Sequence, residues 1–332
     1  MFVKNFFSVL TLAAVSVTIA LGRPSPLVEL ELHANNLTTS YVSDSLLTAD
    51  VSGLGARALV ERQAPNEIYQ GNEALQTAGT NLTMHVIPIK RTFAQQLAGK
   101  YKLLTPTGLP EGFLAPDEHP FIVLAQYLTD IRQRMGLELR VNELQGSYFY
   151  IPFVDAANDG RTPFIMSYQS WQSQLIPRLV GSLYGATLKL GYFEPEHKAR
   201  WHDAYNDLGS GQYFFQNFVG LNNPSGSLGV LSPVFTTRFN RAPRGQLTAK
   251  NFKDLLTTPV RATLYPNTGR CIRFEYVTGQ PFEQAFFARS TVNIYEPVWG
   301  TRKVFENVET FSFAANWLSA SGLGEDCRTF VK

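Results

Sequence analysis

Seven short runs of β-branched and aromatic residues, each bounded by turn formers, constrain this chain most: Leu82 to Ile89, Leu137 to Val141, Ser147 to Val154, Pro163 to Tyr168, Arg261 to Leu264, Arg270 to Val277 and Ala285 to Tyr295. Such residues suit a pleated, half-buried surface. In the sixth run Ile272, Phe274 and Tyr276 alternate with Arg273 and Glu275, as a strand with one buried face requires. The chain is strand-rich on pattern alone, with strands expected to dominate its second half.

Helices are fewer. Thr92 to Tyr101, Ser170 to Tyr184 and Thr248 to Leu256 are the candidates. In the last, Thr248 can cap the free amides while Phe252, Leu255 and Leu256 form an apolar stripe. Pro177 should kink or restart the middle one. Residues Phe121 to Met135 fit a helix by spacing, but Pro120 to Gln126 fits a core strand equally well. The Asn, Pro, Ser and Gly residues from Asn222 to Gly229 mark a loop.

The N-terminus sets an expectation of compartment. Lys4 precedes a mostly apolar run from Phe6 to Leu21, ended by Gly22, Arg23 and Pro24, so residues 1–22 read as a signal peptide rather than a membrane span. Residues 23–62 are poor in aromatics and end in Leu59-Val60-Glu61-Arg62-Gln63. They read as a propeptide cut after Arg62 or as a flexible segment, and the Arg-Gln junction is similar to that of exported fungal proteins. Residues 63–332 are then left for a single domain. Sequons at Asn36 and Asn81 are candidate glycosylation sites. Cys271 and Cys327, the only cysteines, are a candidate disulfide that would tie down the C-terminus of a secreted, extracellular protein; two buried free thiols are the alternative.

Composition excludes some partners. A formal charge of +2 with 17% charged residues offers no basic field for nucleic acid, and no membrane contact is expected once the leader is gone. No metal or other cofactor is expected: His33, His85 and His119 are isolated, and His197 and His202, five apart, would point to different sides of a helix. The sequence Asp155-Ala156-Ala157-Asn158-Asp159-Gly160 reads as a turn rather than a pair of catalytic carboxylates. A nucleophile elbow, a phosphate loop and a dinucleotide fingerprint are all absent.

The segment from Val141 to Gly191 is more specific. It contains Asn142-Glu143-Leu144, the aromatic stretch Tyr148 to Val154, Pro163-Phe164-Ile165-Met166-Ser167-Tyr168, and Gly181 to Gly185 running into Leu188-Lys189-Leu190-Gly191. In this order the segment resembles the acetoacetate decarboxylase-like family. The resemblance implies an α+β fold, a strand-rich barrel-like sheet with a few flanking helices. It also implies a lysine whose amine forms an imine with a ketone, neutral because its pocket is dry.

By that resemblance the family's paired lysines correspond to Leu188 and Lys189. Lys189 is the candidate nucleophile and Glu143 the candidate proton shuttle, with Met166, Tyr168, Tyr184 and Leu188 lining the substrate. A solvent-facing lysine and an ion pair of Glu143 with Arg140 or Arg161 are the bland alternatives for the two catalytic candidates. The expected activity is that of a carboxy-lyase or related carbonyl-lyase on a small keto acid or related carbonyl compound. Because leucine stands where the family's first lysine does, the alternative is a non-catalytic barrel that binds an apolar ligand among Tyr148, Phe149, Tyr150, Tyr168, Trp171 and Tyr184. A sugar-binding aromatic groove and a homo-oligomer also stay open.

Overall fold

The computed structural model describes residues 63–135, 137–174, 187–199, 201–203, 212–220, 232–257, 262–265, 268–278, 285–319 and 325–331. The leader, the segment up to Arg62, Asn36, Tyr184 and the loop from Asn222 to Gly229 lie outside them. The described residues belong to one unit, spanning 58–222 and 228–332.

In chain order the elements are β1 (Gln76–Lys90), α1 (Arg91–Ala98), β2 (Lys102–Leu103), β3 (Glu118–Met135), β4 (Leu137–Asp155), β5 (Phe164–Gln172), β6 (Leu188–Glu194), β7 (Trp201–Asp203), β8 (Gln212–Val219) and β9 (Pro233–Arg241). After these come α2 (Ala249–Thr257), β10 (Ala262–Tyr265), β11 (Arg270–Val277), β12 (Phe286–Ile294), α3 (Glu296–Trp299), β13 (Lys303–Ser319) and β14 (Glu325–Asp326). The expected strand-rich barrel is present, and among the described residues strands predominate on both sides of the chain's midpoint.

Nine strands close on themselves in the order β5, β6, β8, β9, β12, β13, β1, β3, β4, with β4 pairing back to β5. A second closed path leaves β5 through β10 and β11 to reach β13. Strands β13, β1, β3, β4 and β5 are therefore a wall shared by two cores. Ile87 and Ile89 of β1 and Phe121, Val123 and Ala125 of β3 enter the first core, whereas Leu82, Met84, Val86, Ile122 and Leu124 enter the second. A strand buried on both faces has no polar side to alternate with. That is why Phe121 to Met135 defied a reading by period, and it resolves as strand.

The first core is plugged by aromatics. Phe149 lies edge-on to Trp171 at 5.4 Å and to Phe235 at 5.7 Å, and Phe215 packs on Phe235 at 5.5 Å. The second core is filled by α2, whose Phe252, Leu255 and Leu256 are the stripe seen in the sequence. Its cap is reciprocal: the Asn251 amide donates to Thr248 Oγ1 at 3.2 Å, and the Thr248 amide and hydroxyl donate to Asn251 Oδ1. Helix α1 begins within a residue of its expected start. The expected helix from Ser170 is corrected, since Ser170 to Gln172 finish β5; its remainder from 175 lies outside the described residues.

Cys271 of β11 and Cys327 after β14 form the expected disulfide, with Cα atoms 5.1 Å apart. Because Phe149 is fully buried among these aromatics, Phe149→Ala should cost about 3–5 kcal/mol. A large downward shift of the urea midpoint, with an unchanged slope, is the expected observation.

Candidate functional site

Strand β6 begins at Leu188, and Lys189 pairs in parallel register with Trp171, which in turn opposes Ser147. Successive strand residues face opposite sides. Lys189 therefore shares a face with Gly191 and the fully buried Phe193, while Leu188 faces away. Of Leu188 and Lys189, the second carries its side chain to the inner wall.

The Lys189 ammonium lies 4.8 Å from the centroid of the Trp171 ring. It donates to Gln169 Oε1 at 3.1 Å and to the Pro297 carbonyl at 3.5 Å. Helix α3 is one turn long, so its last carbonyls lack intrahelical partners; Pro297 serves Lys189 and Val298 accepts the Tyr168 hydroxyl at 3.1 Å. Burial lowers the Lys189 pKa and raises that of Tyr168. No carboxylate among the described residues pairs with Lys189. The fully solvent-facing alternative does not describe this side chain. Met166, two residues before Tyr168, is buried in the same core as Trp171.

Glu143 is elsewhere. It lies four residues beyond Ser147, about 13 Å along β4, and the Lys189 side chain reaches the other way, toward Gln169, which opposes Phe149. Neither Arg140 nor Arg161 is its partner, for they pair with Asp130 and Asp159. Glu143 instead accepts from the Tyr127 hydroxyl and binds His197 Nδ1 at 2.6 Å. Burial opposes the Glu143 charge, but the bonds from His197 and Tyr127 outweigh it and hold the carboxyl below its ordinary pKa. The same bond raises His197 against the effect of burial.

His197 was expected on a helix with His202. It lies instead in a loop with φ 59°, and His202 is in β7. Buried Gln145 fastens that loop, donating to the Pro195 and Lys198 carbonyls at 2.6 Å each and accepting from the His197 amide at 3.1 Å. Nothing local in the sequence signals a pairing across 54 residues, so His197, Gln145 and Gln169 were not legible as site residues.

Two expectations on the periphery are also decided by geometry. Asp155 and Asp159 are turn residues: Asp155 accepts from the amides of Asp159 and Gly160, and Asp159 from those of Arg161 and Thr162. Asn81 is fully buried in β1, its Oδ1 accepting from the Ala64 amide at 3.1 Å. A glycan has no room there, which corrects its nomination as a glycosylation site. No group of three or more metal-binding side chains occurs among the described residues.

The fold and the site define a strand-barrel protein with a partly desolvated lysine on its inner wall. No protein-family model matches the chain, and no curated protein does. Among solved structures, the enduracididine biosynthesis enzyme MppR complexed with the condensation product of pyruvate and imidazole 4-carboxaldehyde aligns over 75% of this chain and 89% of its own, at 11% identity and a TM-score of 0.47. An acetoacetate decarboxylase-like enzyme from Sphingomonas wittichii RW1 aligns over 75% and 92%, at 11% identity and a TM-score of 0.44. No residue role is transferred from either.

The Glu143–His197 pair generates a pH signature. The raised His197 pKa gives stability that is complete below the ordinary value of 6.5 and lost as pH rises through the folded value. The lowered Glu143 pKa gives stability present above 4.5 and lost as pH falls through the folded value. With His197 half exposed, solvent screening limits the effect to about 1 kcal/mol or less. Denaturant curves of wild type and His197→Asn should therefore differ most between pH 4.5 and 6.5 and converge on both sides.

Proposed function

We propose that this chain is an exported enzyme acting on a small carbonyl compound through the Lys189 amine. One observation carries the reading: the amine is on the inner wall of the barrel, unpaired with any described carboxylate, and burial favours its neutral form. A neutral amine adds to a carbonyl carbon, loss of one water gives the imine, and uptake of one proton gives the protonated imine. The imine then draws electrons from a bond next to the former carbonyl. In a 3-oxo acid the bond that breaks joins the carbon beside the former carbonyl to the carboxylate, which leaves as carbon dioxide. The resulting enamine takes up a proton at carbon, and water releases the product and restores the amine.

The proton donor in this scheme is not Glu143, whose distance from Lys189 excludes direct transfer. Tyr168 is the titratable side chain that shares the α3 anchor with Lys189, and it takes that role here. Export is supported by the leader-like N-terminus and by the disulfide, which suits an oxidising compartment.

Borohydride added with pyruvate or acetoacetate should fix one substrate mass on the peptide containing Lys189, and Lys189→Met should abolish it. Absence of any adduct, or equal labelling of the variant, would overturn the covalent scheme. For export, the native protein sequenced from its N-terminus should begin well after Met1, near Gly22 or Gln63; a start at Met1 would refute it.

A further inference from the structure

Strand β5 carries a β-bulge at Tyr168. Phe149 of β4 opposes Gln169, but the next residue, Tyr150, opposes Ser167, so Tyr168 is one residue more than the pairing needs. Alternation breaks there: Ser167 and Ser170, which would face opposite sides of a regular strand, bring their hydroxyl oxygens within 3.4 Å. Bulges re-aim side chains in this way. The result is that two consecutive side chains serve one place. Tyr168 packs against the first core and donates to the Val298 carbonyl of α3 at 3.1 Å, while Gln169 Oε1 accepts from Lys189 Nζ at 3.1 Å.

The half-buried Gln169 amide meets both titratable groups of this place. Its oxygen takes the ammonium, and its side chain also hydrogen-bonds with Tyr168, opposing the rise that burial imposes on the phenol. An amide can do both because it carries an acceptor and donors on one planar group. No other charge among the described residues comes between them. Strands β5 and β8, on either side of β6, contain no charged residue. Glu194, at the far end of β6, accepts from Gln216, and Glu296 of α3 is exposed and makes no ion pair with Lys189.

We propose that Gln169 is the positioning residue of the Lys189 site: from the β5 bulge, beside Tyr168, its uncharged amide aims the amine without giving it a counter-charge. This rests on the Lys189 reading and adds to it a residue that neither forms nor breaks a bond. A carboxylate of the same shape would hold the ammonium charged, since an opposite charge within about 4–6 Å favours the charged form by about one to three pKa units. An aliphatic side chain would let the amine swing, and a misplacement of about 1 Å can cost about a hundredfold in an oriented reaction. Trp171 and the Pro297 carbonyl would still hold it in part.

Two probes read the amine separately in Gln169→Glu and Gln169→Leu. Formaldehyde with cyanoborohydride methylates a neutral amine without further recognition, so labelling of the Lys189 peptide against pH reports the protonation of Lys189 itself. Gln169→Glu should move the midpoint of that profile up by about one to three pH units, with labelling recovered above the new midpoint, and Gln169→Leu should leave it at or below that of wild type. Reductive trapping of acetoacetate, at a pH where both amines are equally neutral, should fall about tenfold in Gln169→Leu. A residue that only supported the fold would move the thermal midpoint and not the formaldehyde profile. An unmoved formaldehyde midpoint in Gln169→Glu, or undiminished acetoacetate trapping in Gln169→Leu, would overturn the proposal. Should Gln169→Glu not fold, the Gln169→Leu trapping decides. If acetoacetate labels no lysine even in wild type, the covalent reading fails by itself, and the formaldehyde midpoint alone decides Gln169.

Discussion

The structure depends on burying one wall from both sides. Strands β1, β3 and β4 give alternate side chains to two cores, so each residue of Leu82 to Ile87 and Phe121 to Ala125 is removed from water whichever way it points. This doubles the hydrophobic return on each strand and fixes register strongly, because a slip of one residue would exchange the contents of the two cores. The second core is supplied with apolar surface by α2. The first carries buried polar side chains, among them Ser147, Asn217 and His85, along with its aromatic plug.

That division explains what could be read from the sequence. Strands with one wet face, such as Arg270 to Val277, announced themselves by alternation. Strand β3 did not, because from His119 to Leu128 both its faces are dry. The capped helix at Thr248 was legible since its signals are local: a capping side chain, an apolar stripe, and bonds spanning three residues. The disulfide was legible by counting. Ser170 misled because its segment continues toward Tyr184 with helix-forming residues, while tertiary pairing with β4 and β6 makes its first three residues strand.

The site was legible only in part, for a related reason. The face on which Lys189 lies follows from where β6 begins, and no strand run was read at Leu188 to Gly191. Which group meets the amine did not follow, since Gln169 comes from β5 and Pro297 from α3, 20 and 108 residues away in the chain. Glu143 was singled out as a proton shuttle for Lys189, but its partners are His197 and Tyr127. A motif gives spacing along one strand; it does not give the rise of a neighbouring strand, and a displacement of four residues separates two side chains by about 13 Å.

Two opposed influences act on the Lys189 nitrogen, and their balance decides its chemistry. The Trp171 face attracts the ammonium, an interaction worth about 0.5–2 kcal/mol depending on how far water is removed. The same removal of water penalises the charge and pulls the pKa down. Gln169 and Pro297 offer neutral acceptors, which position the nitrogen without the strong bias toward charge that a carboxylate would impose. With no carboxylate paired to it among the described residues, desolvation prevails and the proton is held more loosely than in water. Placing Glu143 beside Lys189 would have reversed that outcome, so the separation of the two residues favours an amine able to act as a nucleophile.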